Sequence, residues 1–205
     1  MRNNRIVLIV TTVITVLVAC AQEEPNVNEF KISDLFQLKS ALEQQLEQHY
    51  IEGPVEEALR FEFLIGDWDL VRKSFNHSGD VAQESKGTVS ARYRFDGRVI
   101  QEDFFNYLPS GETYRAGTAL YTYSPLSNAW TVAAVDASVG GTSYIPEWVN
   151  DEVRYTSEII LPERNVFTRN RIFNISKNAY EWEQEVSLDG KMWHKNYHIL
   201  NTRKI

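Results

Sequence analysis

Cysteine is almost absent from this chain of 205 residues, because Cys20 is the only one. No disulfide can therefore form within the chain. The sequence also lacks a Gly-x-Ser-x-Gly motif, a phosphate-cradling glycine loop and a Gly-x-Gly-x-x-Gly motif. These absences remove the usual sequence evidence for a serine hydrolase, a P-loop enzyme or a dinucleotide-binding domain.

Long apolar runs are also scarce, and the one run without ionisable residues covers residues 6–19. It is shorter than the roughly 20 residues that a membrane-spanning helix needs, and it follows Arg2 and Arg5. This length and these flanks are typical of an export signal. The run ends Leu17-Val18-Ala19-Cys20, which resembles the lipobox of bacterial lipoproteins.

In lipoproteins the cysteine of the lipobox is lipidated and becomes the first residue of the mature protein. The resemblance therefore implies a signal peptide over residues 1–19 and a membrane anchor at Cys20. A plain transmembrane anchor, or an ordinary signal peptide with a chance cysteine, is the alternative. By resemblance to lipoprotein sorting in Gram-negative bacteria, Ala21 indicates the outer membrane, with the protein facing the periplasm.

The charge of the chain is predominantly negative. The whole chain has a formal net charge of −7, and removing Arg2 and Arg5 with the signal peptide makes it −9. An acidic surface repels nucleic acids and anionic lipid headgroups. We therefore expect no nucleic-acid partner, and we expect contact with the membrane through acyl chains alone.

The mature chain divides into three predicted segments. Residues 20–30 are polar, with one proline, and are predicted to be a tether. Residues 31–60 are predicted to be helical, because apolar residues recur at spacings of three and four: Ile32, Leu35, Leu38, Leu42 and Leu46. Residues 61–205 alternate with the period of β-strands and form one predicted domain.

Short strands joined by tight turns predict an all-β domain. Ten strands are predicted, near 68–76, 86–95, 99–107, 113–123, 130–136, 142–149, 153–161, 166–175, 180–187 and 192–203. Such turns cannot connect parallel strands, which need long crossovers. The predicted architecture is an antiparallel up-and-down barrel preceded by an N-terminal helix.

Two motifs at the ends of this domain resemble a known family of barrels. Gly66-Asp67-Trp68 resembles the start of the calycins, which include lipocalins, fatty-acid-binding proteins and nitrobindin-like proteins. An uncharacterised bacterial family is more similar, since it closes with Ser-x-Asp-Gly before a tryptophan, as residues 187–193 do here. The resemblance implies that Arg203 covers Trp68 at the floor of the barrel, in a structural role.

The turns also predict which side chains point into the barrel. A hairpin centred on Asp96-Gly97 pairs Ala91 with Glu102 and directs the Glu102 side chain inward. For residues 113–136 two registers remain open. One directs Tyr121, Tyr123 and Trp130 inward, and the other directs Leu120, Thr131 and Val135 inward.

Two further hairpins complete this prediction. A two-residue loop at Lys177-Asn178 pairs Arg171 with Gln184 on the inner face. A turn centred on Asp189-Gly190 adds residues from the last strand. The predicted ligand-binding residues are Glu102, Arg171, Trp182, Gln184, Trp193, Lys195 and Tyr197. Either they line a wet cavity, or Glu102 pairs with Arg171 or Lys195 as a structural bridge.

No metal site or cofactor is predicted. His194 and His198 are four residues apart on a predicted strand, roughly 13 Å, which is too far for two ligands of one ion. The calycin resemblance leaves haem binding through one histidine open, although the predicted register directs both histidines outward.

The sequence as a whole predicts an envelope lipoprotein whose barrel binds a small, partly apolar ligand without catalysis. One alternative is a small enzyme that uses Glu102 as an acid or base. Another is a structural or assembly lipoprotein whose barrel is filled by its own side chains.

Overall fold

The computed structural model describes residues 31–52, 56–125, 127–138, 140–160 and 164–205. The chain divides into two units at residues 52 and 53. In the first, the predicted helix is confirmed as α1, Ile32–Glu52, and the Asp34 carboxylate accepts the Lys31 backbone N–H at 3.0 Å. No helix within the described ranges is long and apolar enough to cross a membrane. Cys20 and the segments predicted over residues 1–19 and 20–30 lie outside these ranges.

The second unit contains two 3-10 helices, Glu56–Leu59 and Glu62–Leu64, followed by strands. Eleven strands lie in the described ranges: β1 Gly66–Phe75, β2 Val81–Arg94, β3 Val99–Tyr107, β4 Thr113–Ser124, β5 Ala129–Asp136, β6 Gly140–Tyr144, β7 Glu147–Val149, β8 Glu152–Ile160, β9 Asn165–Phe173, β10 Ala179–Ser187 and β11 His194–Arg203. The strand predicted over 142–149 is two strands, β6 and β7. Pro146 lies between them, and proline has no backbone N–H to donate to a strand ladder.

All eleven strands belong to one antiparallel sheet, in the order β6-β5-β4-β3-β2-β1-β11-β10-β9-β8-β7. Sequential strands are neighbours, and β1 pairs with β11 in the middle of the sheet. The structure therefore confirms an all-β up-and-down architecture, in the form of a half-barrel. Its two edge strands, β6 and β7, are joined through Ile145 and Pro146, and we call this junction the seam.

One face of the sheet, here the inner face, carries the hydrophobic core. Alternate residues of each strand contribute to it, as the period of two in a strand requires. Its buried members from the strands are Trp68, Leu70, Val89, Ala91, Ile100, Ala119, Tyr121, Trp130, Val132, Val153, Ile172 and Tyr180. Phe61 and Leu64 join this core from the segment that precedes β1.

The β2–β3 hairpin has the predicted register, with Ala91 paired with Glu102. Glu102 therefore lies on the same face as Ala91, which is fully buried. The open choice for residues 113–136 is also decided. Tyr121 pairs with Val132 and Tyr123 pairs with Trp130, so these residues share the inner face.

The predicted register of the β9–β10 hairpin is wrong by one residue. The tight turn forms, since the Ser176 N–H donates to the Ala179 carbonyl at 2.8 Å. Asn174, however, has a left-handed backbone conformation with φ of 50° and adds one residue between the turn and β9. Arg171 consequently pairs with Glu183 instead of Gln184, and its side chain lies on the outer face.

The predicted inward direction of Lys195 and Trp193 is also wrong. The β10–β11 register shifts after Gln184, so that Gln184 pairs with Tyr197 and Glu185 pairs with Lys195. The shift skips Asn196 and turns Lys195 to the outer face, where it meets Glu183. Trp193 precedes β11, and its ring contacts the outer-face side chain of Arg169, with 4.6 Å from the guanidinium carbon to the ring centroid.

Candidate functional site

The floor of the half-barrel is closed by the predicted pair of Trp68 and Arg203. The two residues pair across β1 and β11, and the guanidinium carbon lies 4.1 Å from the Trp68 ring centroid. Trp68 is fully buried and donates its indole N–H to the Leu64 carbonyl at 2.7 Å. Arg203 donates to the Ile65 carbonyl at 2.7 Å, so the pair fixes the chain where it enters β1.

Gly66 is required at this floor. Its φ is +139°, and a Cβ atom placed there would lie 2.2 Å from Nη1 of Arg203. The motif Gly66-x-Trp68 therefore combines an aromatic ring with the space for the cation that covers it. This contact links the last strand to the first at the floor.

Phe61 packs into the inner face beside the floor. Its ring centroid lies 5.3 Å from that of Tyr121, 4.5 Å from that of Trp130 and 5.5 Å from that of Trp148. The segment before β1 thus fills one end of the half-barrel with aromatic rings, and any accessible space on the inner face must lie beyond them.

Glu102 is embedded among tyrosines of the inner face. Its Oε2 accepts the Tyr121 hydroxyl at 2.5 Å. Among the described residues no cation lies within ion-pair distance of this carboxylate. Burial raises the pKa of Glu102, and the nearby Asp103 raises it further, while hydrogen bonding by Tyr121 and Tyr180 opposes the change. The predicted bridge from Glu102 to Arg171 or Lys195 is not formed.

The aromatic wall continues across the seam. Tyr144 of β6 stacks on Tyr155 of β8, with ring centroids 3.9 Å apart and planes 8° apart. Trp182 donates its indole N–H to the Tyr155 hydroxyl at 2.7 Å. Burial raises the pKa of Tyr155 to about 12, so its hydroxyl stays neutral at physiological pH.

The end of the inner face opposite the floor is polar, and Arg72 is its central cation. Arg72 is 7% exposed and donates to the Tyr114 hydroxyl at 2.9 Å. That hydroxyl lies 3.2 Å from the Ser85 hydroxyl, and the guanidinium carbon lies 3.9 Å from the Tyr197 ring centroid. In the described part of the chain, no carboxylate lies within ion-pair distance of Arg72.

Uncharged polar side chains continue this end of the inner face across β11, β10 and β9. Gln184 donates to the Asn170 side-chain oxygen at 3.0 Å and accepts from the Asn196 amide at 2.8 Å. Asn170 donates in turn to Thr168 at 3.2 Å. The end opposite the floor therefore offers hydrogen-bonding groups, whereas the floor end offers aromatic surface.

The second inner-face arginine in this region is already neutralised. Arg115 forms an ion pair with Asp136. Burial opposes ionisation of Asp136 most strongly. Hydrogen bonds from the Ser138 backbone and from Arg115, together with the charge of Arg115, outweigh that effect and lower its pKa.

Charged residues of the outer face are likewise paired. Glu183 contacts Lys195 at 2.5 Å and Arg171 at 3.0 Å. Burial would raise the pKa of Glu183, but these two cations outweigh it and lower the pKa. An outer groove of about 510 Å³ includes Glu183 and Arg171 in its lining and also touches Tyr155 and Asn170. Each of its three arginines has an acidic partner.

The predicted site residues thus separate into two sets. Glu102, Trp182, Gln184 and Tyr197 lie on the inner face, whereas Arg171, Trp193 and Lys195 lie on the outer face. Sequence reasoning missed Arg72, Ser85 and Tyr114. The parity of β1 could have identified Arg72, because it is four residues from the inward Trp68.

No cluster of three or more His, Cys, Asp or Glu side chains suited to a metal ion occurs in the described ranges. His198 lies on the outer face, where its Nε2 is 2.6 Å from Oε2 of Glu181.

Comparison with known proteins identifies the fold. No protein-family model and no curated protein matches this chain. Among solved structures, Rv2717c from M. tuberculosis is similar, with a TM-score of 0.52 and 8% identity over 74% of this chain and 99% of that protein. A redesigned β-barrel, b11L5F_LGL, has a TM-score of 0.40 and 13% identity over 75% of this chain and 99% of the design. Another, mFAP0 bound to DFHBI, has a TM-score of 0.37 and 16% identity over 69% of this chain and 99% of the design. The similarity to Rv2717c shows a shared β-barrel fold, which is what the arrangement of the strands independently indicates.

Proposed function

We propose that this protein is a lipid-anchored component of the bacterial envelope whose half-barrel binds a small amphipathic molecule without altering it chemically. The observation that carries the proposal is the composition of the inner face. Aromatic and aliphatic groups such as Phe104, Trp182 and Ile199 adjoin the core but remain partly accessible, and Arg72 has no acidic partner in the described residues. Ligand sites commonly combine apolar walls with a few orienting polar groups.

The anchoring part of the proposal is supported by the lipobox that ends at Cys20. Two or more acyl chains would hold the protein at a membrane stably, whereas one chain binds marginally. The outer membrane is the proposed location, on the basis of Ala21.

Binding can be tested with 11-bromoundecanol, a neutral amphipathic probe whose bromine quenches tryptophan fluorescence on contact. The mature chain, residues 20–205 with Cys20→Ser, avoids detergent and lipid that would compete for the probe. Saturable quenching and a rise in melting temperature with probe concentration are expected, because a ligand stabilises the state that it binds.

Two half-buried tryptophans provide the control. Trp182 lies on the inner face and Trp193 on the outer face. Trp182→Phe should remove much of the quenching, while Trp193→Phe should preserve it. Absence of saturable binding, or quenching that depends on Trp193 alone, would contradict the proposal.

An enzyme remains the second candidate because Glu102 is a buried carboxyl with a raised pKa. Its carboxylate contacts tyrosines, and no nucleophile–base pair adjoins it in the described residues. Turnover that is lost in Glu102→Gln while the fold and probe binding persist would favour the enzyme over the carrier.

A further inference from the structure

Arg72 differs from the other arginines that line the inner face and the outer groove, because neither a carboxylate nor a set of backbone carbonyls satisfies its guanidinium. At the floor, Arg203 donates to the carbonyls of Phe63, Ile65 and Lys177. Arg115 pairs with Asp136, Arg169 with Glu185, and Arg171 with Glu183. Arg72 makes one hydrogen bond, to the uncharged Tyr114, and stacks over Tyr197. A guanidinium has five N–H donors, so most donors of Arg72 have no partner among the described residues.

Those free donors are not completely shielded from solvent. The buried polar atoms that lack partners in the described ranges include no nitrogen of Arg72. Its unbonded nitrogens therefore keep contact with solvent, although only 7% of the residue as a whole is exposed. A buried cation with open donors costs desolvation free energy unless an anion joins it.

The unpaired carboxyl of the inner face, Glu102, is too distant to neutralise Arg72. Arg72 pairs with Ser85 on β2, whereas Glu102 is the partner of Ala91 on the same strand. Six residues of strand separate Ser85 from Ala91, roughly 20 Å.

An apolar wall begins directly beside Arg72. Ile199 is its register partner on β11, and Trp182 is the partner of Ile199 on β10. Both side chains adjoin the core but are only partly buried. A molecule whose head reaches Arg72 can therefore place an apolar chain along Ile199 and Trp182.

We propose that Arg72, positioned by Tyr114, is the head-group site of the half-barrel and that it binds the carboxylate of a ligand with an apolar chain. A single guanidinium balances one negative charge, and its planar donors match the two oxygens of a carboxylate. The net charge of −9 on the mature chain gives no general attraction for anions, so the selectivity must come from this local group. This inference rests on the proposed ligand-binding function and specifies its ligand class.

The test compares 11-bromoundecanoate with 11-bromoundecanol, which have the same chain and differ in the head group. In the mature chain with Cys20→Ser, at pH 7, the acid should bind roughly tenfold or more tightly than the alcohol, as expected for a charge-assisted hydrogen bond. Arg72→Gln should abolish that preference and leave affinity for the alcohol within about twofold. Arg171→Gln, on the outer face, should leave both affinities unchanged.

Tyr114→Phe provides a second variant that keeps Arg72 and its charge. It should weaken the acid several-fold and leave the alcohol unaffected, because it removes only the hydroxyl that positions the guanidinium. A purely structural Arg72 would instead change the affinities for both probes together, with a matching loss of stability.

The outcomes separate this inference from the proposed function. Equal binding of acid and alcohol in the wild type, or an acid preference that survives Arg72→Gln, overturns the head-group site but supports a ligand-binding barrel. Failure of both probes to bind overturns the proposed function and this inference together.

Discussion

Away from the floor, two inner-face side chains, Arg72 and Glu102, carry formal charges that no described residue balances with an opposite charge. Burial penalises both charged forms, yet the two residues respond differently. A carboxyl can take up a proton and become neutral, and the raised pKa of Glu102 has this direction. An arginine stays charged in proteins, so Arg72 can be neutralised only by an anion.

The pH dependence of stability should reveal Glu102. Its folded-state pKa is raised above the ordinary value of 4.5, so the folded state binds the proton more tightly than the unfolded state does. The free energy of unfolding therefore loses a contribution as pH rises from about 4.5 through the raised pKa. Glu102→Gln should flatten this fall and make the protein relatively more stable at neutral pH, as urea denaturation at several pH values can measure.

Glu102→Gln is expected to stabilise the protein at neutral pH because no cation pairs with the Glu102 carboxylate in the described residues. Had Glu102 paired with Arg171, as one sequence-based alternative held, Glu102→Gln would destabilise the fold at neutral pH. Glu84→Gln, at a side chain that is 54% exposed, serves as the control and should leave the pH profile almost unchanged. The stability of Glu102→Gln relative to the wild type should therefore grow as pH rises over this range, and a difference that does not grow would refute the assignment.

Gly66 offers a second test at the level of single residues. Gly66→Ala should destabilise the fold by about 1–3 kcal/mol, because a side chain there is strained and meets the Arg203 guanidinium. Gly79→Ala is the matched control, since Gly79 also has a positive φ but nothing lies within 4 Å of a Cβ atom there. The excess cost of Gly66→Ala over Gly79→Ala, from thermal or urea unfolding, measures the contact with Arg203. Equal costs would show that this contact does not matter.

Among the elements, the short segment before β1 contributes more to the core than its length suggests. Phe61 is fully buried and packs against four other aromatic rings. Phe61→Ala should cost about 3–5 kcal/mol in the free energy of unfolding, as for other large-to-small core changes. Phe95→Ala is a suitable control, because Phe95 is 71% exposed. A small effect at Phe61 would mean that the floor can close without this segment.

The Glu183 cluster allows a prediction about the outer face of β9, β10 and β11. Glu183→Gln should remove two ion pairs and lower stability by about 1 kcal/mol, a modest value because Lys195 and Arg171 are each 40% exposed. The lowered pKa of Glu183 means that this contribution is present at neutral pH and is lost as pH falls through the folded-state pKa. Ligand affinity should not change, since the cluster lies on the outer face.

The hairpins explain how far the sequence could predict the site. At Asp96-Gly97 the left-handed residues lie within the loop, so counting outward from its centre gives the correct pairs. Beside Lys177-Asn178 the turn also forms, but the left-handed Asn174 lies outside it and shifts every later pair by one. The bounds of the strands depend on local alternation and were predicted well. The face on which a side chain lies depends also on single inserted residues, and alternation does not reveal those.

The same reasoning accounts for the mixed fate of the predicted ligand-binding residues. Trp182, Gln184 and Tyr197 were predicted on the inner face and lie there. Trp182 and Gln184 are two and four residues from the buried Tyr180 on β10, and Tyr197 is two residues from Ile199 on β11, so alternation along each strand directs them inward. Arg171 fell on the wrong side of Asn174, and Lys195 on the wrong side of the shift after Gln184. The inward direction of Arg72 could have been predicted without any turn, because Arg72 is four residues from the inward Trp68 on the same strand.

For the whole molecule, the anchor at Cys20 remains a prediction of the sequence. Cys20→Ser should yield a product that no longer partitions into the detergent phase of a phase-separation assay, because acyl chains supply the membrane affinity. Mass spectrometry of the wild-type protein extracted from membranes should show an acylated peptide beginning at Cys20. An unmodified Cys20 in that peptide would exclude the lipid anchor.

The pairing of β1 with β11 has a consequence for how the chain folds while it is being synthesised. Arg203, which covers Trp68, donates to a carbonyl 138 residues earlier, so the floor stays open until Arg203 itself has been synthesised. Strand order would become fully sequential in a circular permutant that begins at Glu147, ends at Tyr144 and joins Ile205 to Glu56 through a short linker. That rearrangement lowers the contact order, and the permutant should refold faster than the natural order of the chain.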